Sequence, residues 1–73
     1  METTTAATAA RVSAAVSQAG MSRLNLSEAS GIPYTTLGRK LRGLSSWTVE
    51  EIDHVARALS VEPASLVEFR AVA

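Results

Sequence analysis

Cysteine is absent from the chain, so it can form neither a disulfide nor a thiolate metal site, and cysteine usage marks no redox compartment. Histidine occurs once, at His54, and a single imidazole makes no zinc site. No apolar run reaches about 18 residues, and no charged-then-apolar leader opens the sequence. A soluble, cytoplasmic protein is expected. Neither a Ser/His/Asp constellation nor a phosphate-binding loop is present. Glu50, Glu51 and Asp53 form an acidic cluster, but with no metal-ligand set and no second domain to make a cleft they compose no active site. Enzymatic activity is not expected, and no cofactor is implied.

Net charge is lacking as well: seven cations balance seven acids. A zero sum argues against a polyanionic partner, but the distribution argues for one. Residues 1–43 hold Arg11, Arg23, Arg39, Lys40 and Arg42 against Glu2 and Glu28. The remainder holds Arg57 and Arg70 against Glu50, Glu51, Asp53, Glu62 and Glu68. Polyanions respond to local potential, and one pole of this chain is basic.

What is present is one small domain. At 73 residues and 47% hydrophobic content the chain sits near the lower size for a self-sufficient core. The opening "METTTAATAA" is small, polar and low in complexity, and residues 1–5 are expected to be a disordered tail ahead of a domain spanning 6–73. From Ala6 the pattern becomes helical. Ala9, Val12, Ala15, Val16 and Ala19 share one stripe, and Gly20 stops it. Ser22 is a suitable N-cap for a short second helix through Ser30, with Leu26 and Ala29 inward and Leu24 partly so. Gly31 ends that helix, Ile32 plugs the turn, and Pro33 fixes the backbone for a third helix. There Leu37 and Leu41 point to the core, and Gly43 closes the helix.

A capping box opens the fourth helix, with Thr48 as N-cap and Glu51 three residues on. Trp47 and Ile52 suit a hydrophobic staple across that start, which makes Trp47 a core residue rather than a stacking platform. Val49, Ile52, Val55, Ala56 and Leu59 form its buried stripe, and His54 is expected exposed without a role. Val61 is a second plug, and Pro63 begins a fifth helix carrying Leu66, Val67 and Val72. Nothing alternates as a strand would. The expected fold is all-α, a compact five-helix domain.

The segments "LSEASGIPYTTLGRKLRG" and "WTVEEIDHVARALSVEP", within residues 9–70, resemble the lambda-repressor/Cro-like helix-turn-helix family, with the helix-turn-helix at about 22–43. The resemblance implies a sequence-specific double-stranded DNA-binding regulator of transcription, a small phage or bacterial repressor. The helix before the turn would cross the DNA backbone, and helix 33–42 would enter the major groove. Two positions depart from the family pattern. Ser27 stands where a packing alanine is common, and Pro33 replaces a serine or threonine cap at the start of the groove-reading helix.

Helical geometry then sorts the side chains. With Leu37 and Leu41 committed to the core, the third helix turns Tyr34, Thr35, Gly38, Arg39 and Arg42 outward. Arg39 can donate twice to guanine O6/N7, Thr35 and Thr36 can bond a base edge or pack on a thymine methyl, and Tyr34 can reach a base or a phosphate. Phosphate contacts fall to Arg23, which the resemblance assigns that role, to Lys40 and Arg42, and to Ser45 and Ser46 at the start of the fourth helix. Gly38 admits two explanations, a close approach of backbone to DNA or close packing on the second helix. Three cations in four residues would alone be an ordinary solvated face; the turn and the capped helix behind it give them a direction.

The family binds near-palindromic operators as dimers, which implies a homodimer through the fifth helix and the tail "LVEFRAVA". That apolar tail equally suits the domain's own core. Two other functions fit the same fold. An antitoxin-like or adaptor module would explain the zero net charge, and an architectural or excision-type binder would bend DNA without a distinct operator.

Overall fold

The molecule, a computed structural model, is described at residues 2–3, 5–67 and 69–70, with side chains for 5–67. Its frame is all-α. Helix α1 (Thr5–Ala19) is followed by α2 (Arg23–Ser30), α3 (Tyr34–Leu41) and α4 (Val49–Leu59). A single 3₁₀ turn (Pro63–Leu66) follows, and β1 (Glu2–Thr3) pairs antiparallel with β2 (Phe69–Arg70), Glu2 opposite Arg70 and Thr3 opposite Phe69. Within the tail expected at 1–5, Glu2–Thr3 form β1 and Thr5 begins α1, while residues 1 and 4 lie outside those described; the expectation of a dimer surface on "LVEFRAVA" rests, beyond Val67, on side chains outside those described.

The ends of α2 and the start of α4 have identifiable chemical causes. The Ser22 hydroxyl accepts the Asn25 N–H and starts α2. Gly31, at φ 78°, ends it with its N–H on the Ser27 carbonyl, a backbone conformation that a side chain would strain. The turn that follows is held at Ile32 from both sides. The Ser27 hydroxyl donates to the Ile32 carbonyl at 2.6 Å, and the Ser30 hydroxyl accepts the Ile32 N–H at 3.3 Å. Ser27 is thus half-buried and bonded into the turn, which explains why the alanine of the family pattern is not needed here. Pro33 occupies the N-cap of α3 and gives it no side-chain cap. At α4 the capping box is complete, with Thr48 Oγ1 accepting the Glu51 N–H and Glu51 Oε1 accepting the Thr48 N–H.

The core gathers Val12 from α1, Leu26 from α2, Ile32 from the turn, Leu37 from α3, four residues of α4 (Ile52, Val55, Ala56, Leu59) and Leu66. Helix α2 packs on both α3 and α4, which fixes the angle at which α3 leaves the body. Partly buried Ala15, Val16, Leu41, Trp47 and Val67 close the edges of this cluster.

Several expectations are corrected. The fifth helix is one 3₁₀ turn: the Ser65 hydroxyl and N–H both bond the Glu62 carbonyl, and Val67 is already extended, so the chain has no second turn to propagate. Ala29 is exposed, because the inward stripe of α2 runs through Leu26 and Ser30. Ala19 is exposed at the end of α1. Val49 lies on the stripe of Ile52 yet is 86% exposed. Side chains lean toward a helix N-terminus, and this one therefore projects past the edge of the core. Val61 is no plug either; it follows Ser60, whose left-handed backbone (φ 57°) turns the chain outward, and stays 37% exposed.

Candidate nucleic-acid interface

Helix α3 sorts its residues sharply by face. Leu37, Gly38 and Lys40 are buried, Thr36 and Leu41 are half-buried, and Tyr34, Thr35 and Arg39 are exposed, with Arg42 exposed at its C-cap. The Arg39 side chain has no hydrogen bond or ion pair among the described residues, so its donor fork faces solvent unspent. The Arg42 Nε donates to the Gly38 carbonyl at 3.3 Å, which lays its stem along α3 and leaves the rest of the guanidinium outward.

Arg23, the first residue of α2, reaches across to the start of α3. Its Nη2 donates to the Tyr34 hydroxyl at 2.7 Å, and its guanidinium carbon lies 4.4 Å from the Tyr34 ring centroid. The space for it is made by Gly38, where an added Cβ would stand 2.8 Å from Arg23 Nη1. Of the two explanations for this glycine, packing against α2 is the one realised, and the packed group is the arginine itself. Gly38 is buried beneath that guanidinium, so this arrangement presents the arginine rather than bare backbone at that point of α3. Arg23, Tyr34 and Gly38 therefore act as one unit. A cation that would otherwise sweep through solvent is held at the junction of α2 and α3, which lowers the entropy lost when it meets an anion.

Lys40 is elsewhere than the sequence suggested. It is 6% exposed, and its Nζ pairs with Glu51 Oε1 at 2.9 Å and donates to the Ser46 carbonyl at 2.5 Å. The Trp47 ring centroid lies 5.9 Å from the same ammonium. Lys40 thus does not flank the outer face as a phosphate contact. The signal was present in the spacing: position 40 is three beyond Leu37, on the core side of the helix. Glu51 answers it from α4. Burial raises the Glu51 carboxyl, but the Thr48 N–H, the hydrogen bond and charge of Lys40, and the Thr48 hydroxyl outweigh this and hold it below the usual carboxylate range.

Ser45 is half-buried and Ser46 exposed in the loop joining α3 to α4. Glu50 and Glu51 lie in the first turn of α4, so the positive end of that helix is already met by carboxylates. Arg57 pairs with Asp53 at 3.1 Å on α4. Three exposed guanidiniums, on Arg23, Arg39 and Arg42, consequently share the α2–α3 side with no acid paired to them among the described residues. No cluster of potential metal ligands occurs among the described residues, and no described helix is long and apolar enough to cross a membrane. Comparison with known proteins agrees with this geometry: residues 11–71 match the family model of the Cro/C1-type HTH DNA-binding domain. Neither a curated protein nor a solved structure matches the chain.

Proposed function

From the premise that this chain belongs to the Cro/C1-type helix-turn-helix DNA-binding family, we propose that it is a sequence-specific regulator of transcription, of the phage or bacterial repressor kind. In this proposal α3 lies in the major groove of cytoplasmic duplex DNA and α2 crosses the backbone. The observation that carries it is Arg39, exposed in the middle of the outward face of α3 and unpartnered among the described residues. A bidentate contact from it to guanine contributes about 1–3 kcal/mol of discrimination. Thr35 reads the neighbouring base, with Thr36 in a lesser share because it is half-buried. Tyr34 moves from the base-reading set to the flank, since its hydroxyl already accepts from Arg23 and retains one proton to donate. Arg23, Arg42 and Ser46 contact phosphates, supplying affinity and register.

Two copies bind half-sites about one helical turn apart in this proposal. An apolar groove lined by Trp47, Val49, Ile52, Pro63 and Val67, on the α4 and 3₁₀-turn side, supports pairing there. Selection of bound duplexes from a random pool tests the whole proposal, run in parallel for the wild-type chain and Arg39→Ala. The wild type is expected to enrich a two-fold symmetric motif containing a guanine that the variant no longer demands. Failure of the wild type to enrich any motif, or an unchanged motif with Arg39→Ala, contradicts it.

A further inference from the structure

Lys40 is the one buried cation described, and its ammonium has two polar partners, the Ser46 carbonyl in the segment that leads from α3 into α4 and the Glu51 carboxylate in the first turn of α4. We infer that Lys40 is a positioning residue for DNA binding: its ammonium clamps the Ser46 carbonyl and the Glu51 carboxylate, and so sets where the α3–α4 loop stands relative to the groove-reading face. The inference rests on the DNA-binding reading above and adds a component to it.

Both ends of the clamp favour the charges they carry. Lys40 lies in the last turn of α3 and Glu51 in the first turn of α4, where a cation and an anion respectively complement the helix dipoles. Glu51 Oε1 accepts from Lys40 and from the Thr48 N–H, so one oxygen joins the two helices and the cap of the second. Behind the clamp the end of α3 is closed by the Gly43 N–H on the Lys40 carbonyl and the Leu44 N–H on the Arg39 carbonyl, the paired bonds of a Schellman motif. Ser45 and Ser46 hang between these two fixed ends. Their distance from Arg39 and Arg42 is therefore set through Lys40, although Lys40 itself touches no DNA.

The same geometry makes a statement about charge. Lys40 is neutralised internally, which leaves Arg23, Arg39 and Arg42 to meet phosphates or bases. With Arg39 on a base, the two cations left for phosphates, Arg23 and Arg42, give a slope of log K against log salt of about −2 per bound chain, each phosphate contact contributing about 0.9.

The test compares the wild type with Lys40→Met, Lys40→Met/Glu51→Gln and Arg42→Met, at a temperature where the amide spectra of all four show the folded chain. Binding is measured to a random duplex across a salt series and to a duplex selected by the wild type. Lys40→Met is expected to keep the wild-type salt slope, whereas Arg42→Met flattens it by about one. Lys40→Met should also weaken binding to the selected duplex by about tenfold. The double variant removes the unpaired Glu51 charge and regains thermal midpoint, but not the lost affinity, because nothing then holds Ser46. A merely structural lysine would recover both. A slope flattened by Lys40→Met, or affinity restored in the double variant, overturns the inference while leaving DNA binding intact. A wild-type chain that binds neither duplex removes the DNA reading itself, and this inference with it.

Discussion

Gly38 is a residue whose stability cost and functional use pull in opposite directions. A glycine inside a helix is about 1 kcal/mol less favourable than alanine. Here the vacant position is filled by the far end of the Arg23 side chain, which can swing away. Gly38→Ala is therefore expected to raise the unfolding free energy by about 0.5–1 kcal/mol while expelling Arg23 from Tyr34. Thermal melts should rise and duplex affinity should fall several-fold; affinity that rises with stability would deny Arg23 its role. Glu51 gives a residue-scale prediction about acid. Its carboxyl is held below the ordinary value of about 4.3, so its contribution to stability is complete above that pH and is lost as pH falls through the lower folded-state value. Glu51→Gln keeps an acceptor for the Thr48 N–H but strands the Lys40 charge, costing about 1–3 kcal/mol at neutral pH. The thermal midpoint of this variant should fall less than that of the wild type between about pH 5 and pH 3. Parallel acid profiles would show that the carboxylate is not coupled to folding.

Helices in this chain owe their ends to single residues, and that is why most of them could be located from the sequence. Ser22, Gly31, Pro33, Gly43 and the Thr48/Glu51 box each act through a bond or a backbone angle that depends on residue type alone. The central stripes were legible for the same reason, since Val12, Leu26, Leu37, Ile52 and Val55 lie well inside their helices. What could not be read was set by position in three dimensions. Val49 has the right spacing but overhangs the core edge, and the segment from Pro63 forms only a 3₁₀ turn, with Ser65 bonded to the Glu62 carbonyl and Val67 already extended. The two-residue pairing of β1 with β2 is too short to leave any alternation. The end of α4 carries a prediction of its own. Ser60 sits at φ 57°, with its N–H on the Arg57 carbonyl and the Val61 N–H on the Ala56 carbonyl, a place where glycine avoids the strain of a side chain. Ser60→Gly should stabilise the domain by about 0.5–1 kcal/mol, visible as a thermal midpoint a few degrees higher. A lower midpoint would mean that the serine side chain has a compensating partner.

For the molecule as a whole, a formal charge of zero conceals a division of labour. Carboxylates collect on α4, where Glu50 and Glu51 meet the helix start, Glu51 neutralises Lys40 and Asp53 pairs with Arg57. Guanidiniums are left exposed on α2 and α3. The sequence disclosed the basic half of the chain but overstated it by one lysine, since composition cannot tell a cation on the outer face from one turned under the helix. It located Arg39 and Arg42 by periodicity, and it left the Arg23–Tyr34–Gly38 unit unseen because the three residues meet only once α2 and α3 are packed. The central claim is that the outward face of α3, with Arg23 beside it, is the surface that DNA occupies. The most direct test is amide NMR of the ¹⁵N-labelled chain titrated with duplex DNA at low salt. The account predicts shifts concentrated at Arg23 and from Tyr34 to Gly43, with the amides of Val55 to Leu59 unmoved. A titration that left α3 unchanged, or that shifted only the α4 and 3₁₀-turn side, would contradict it.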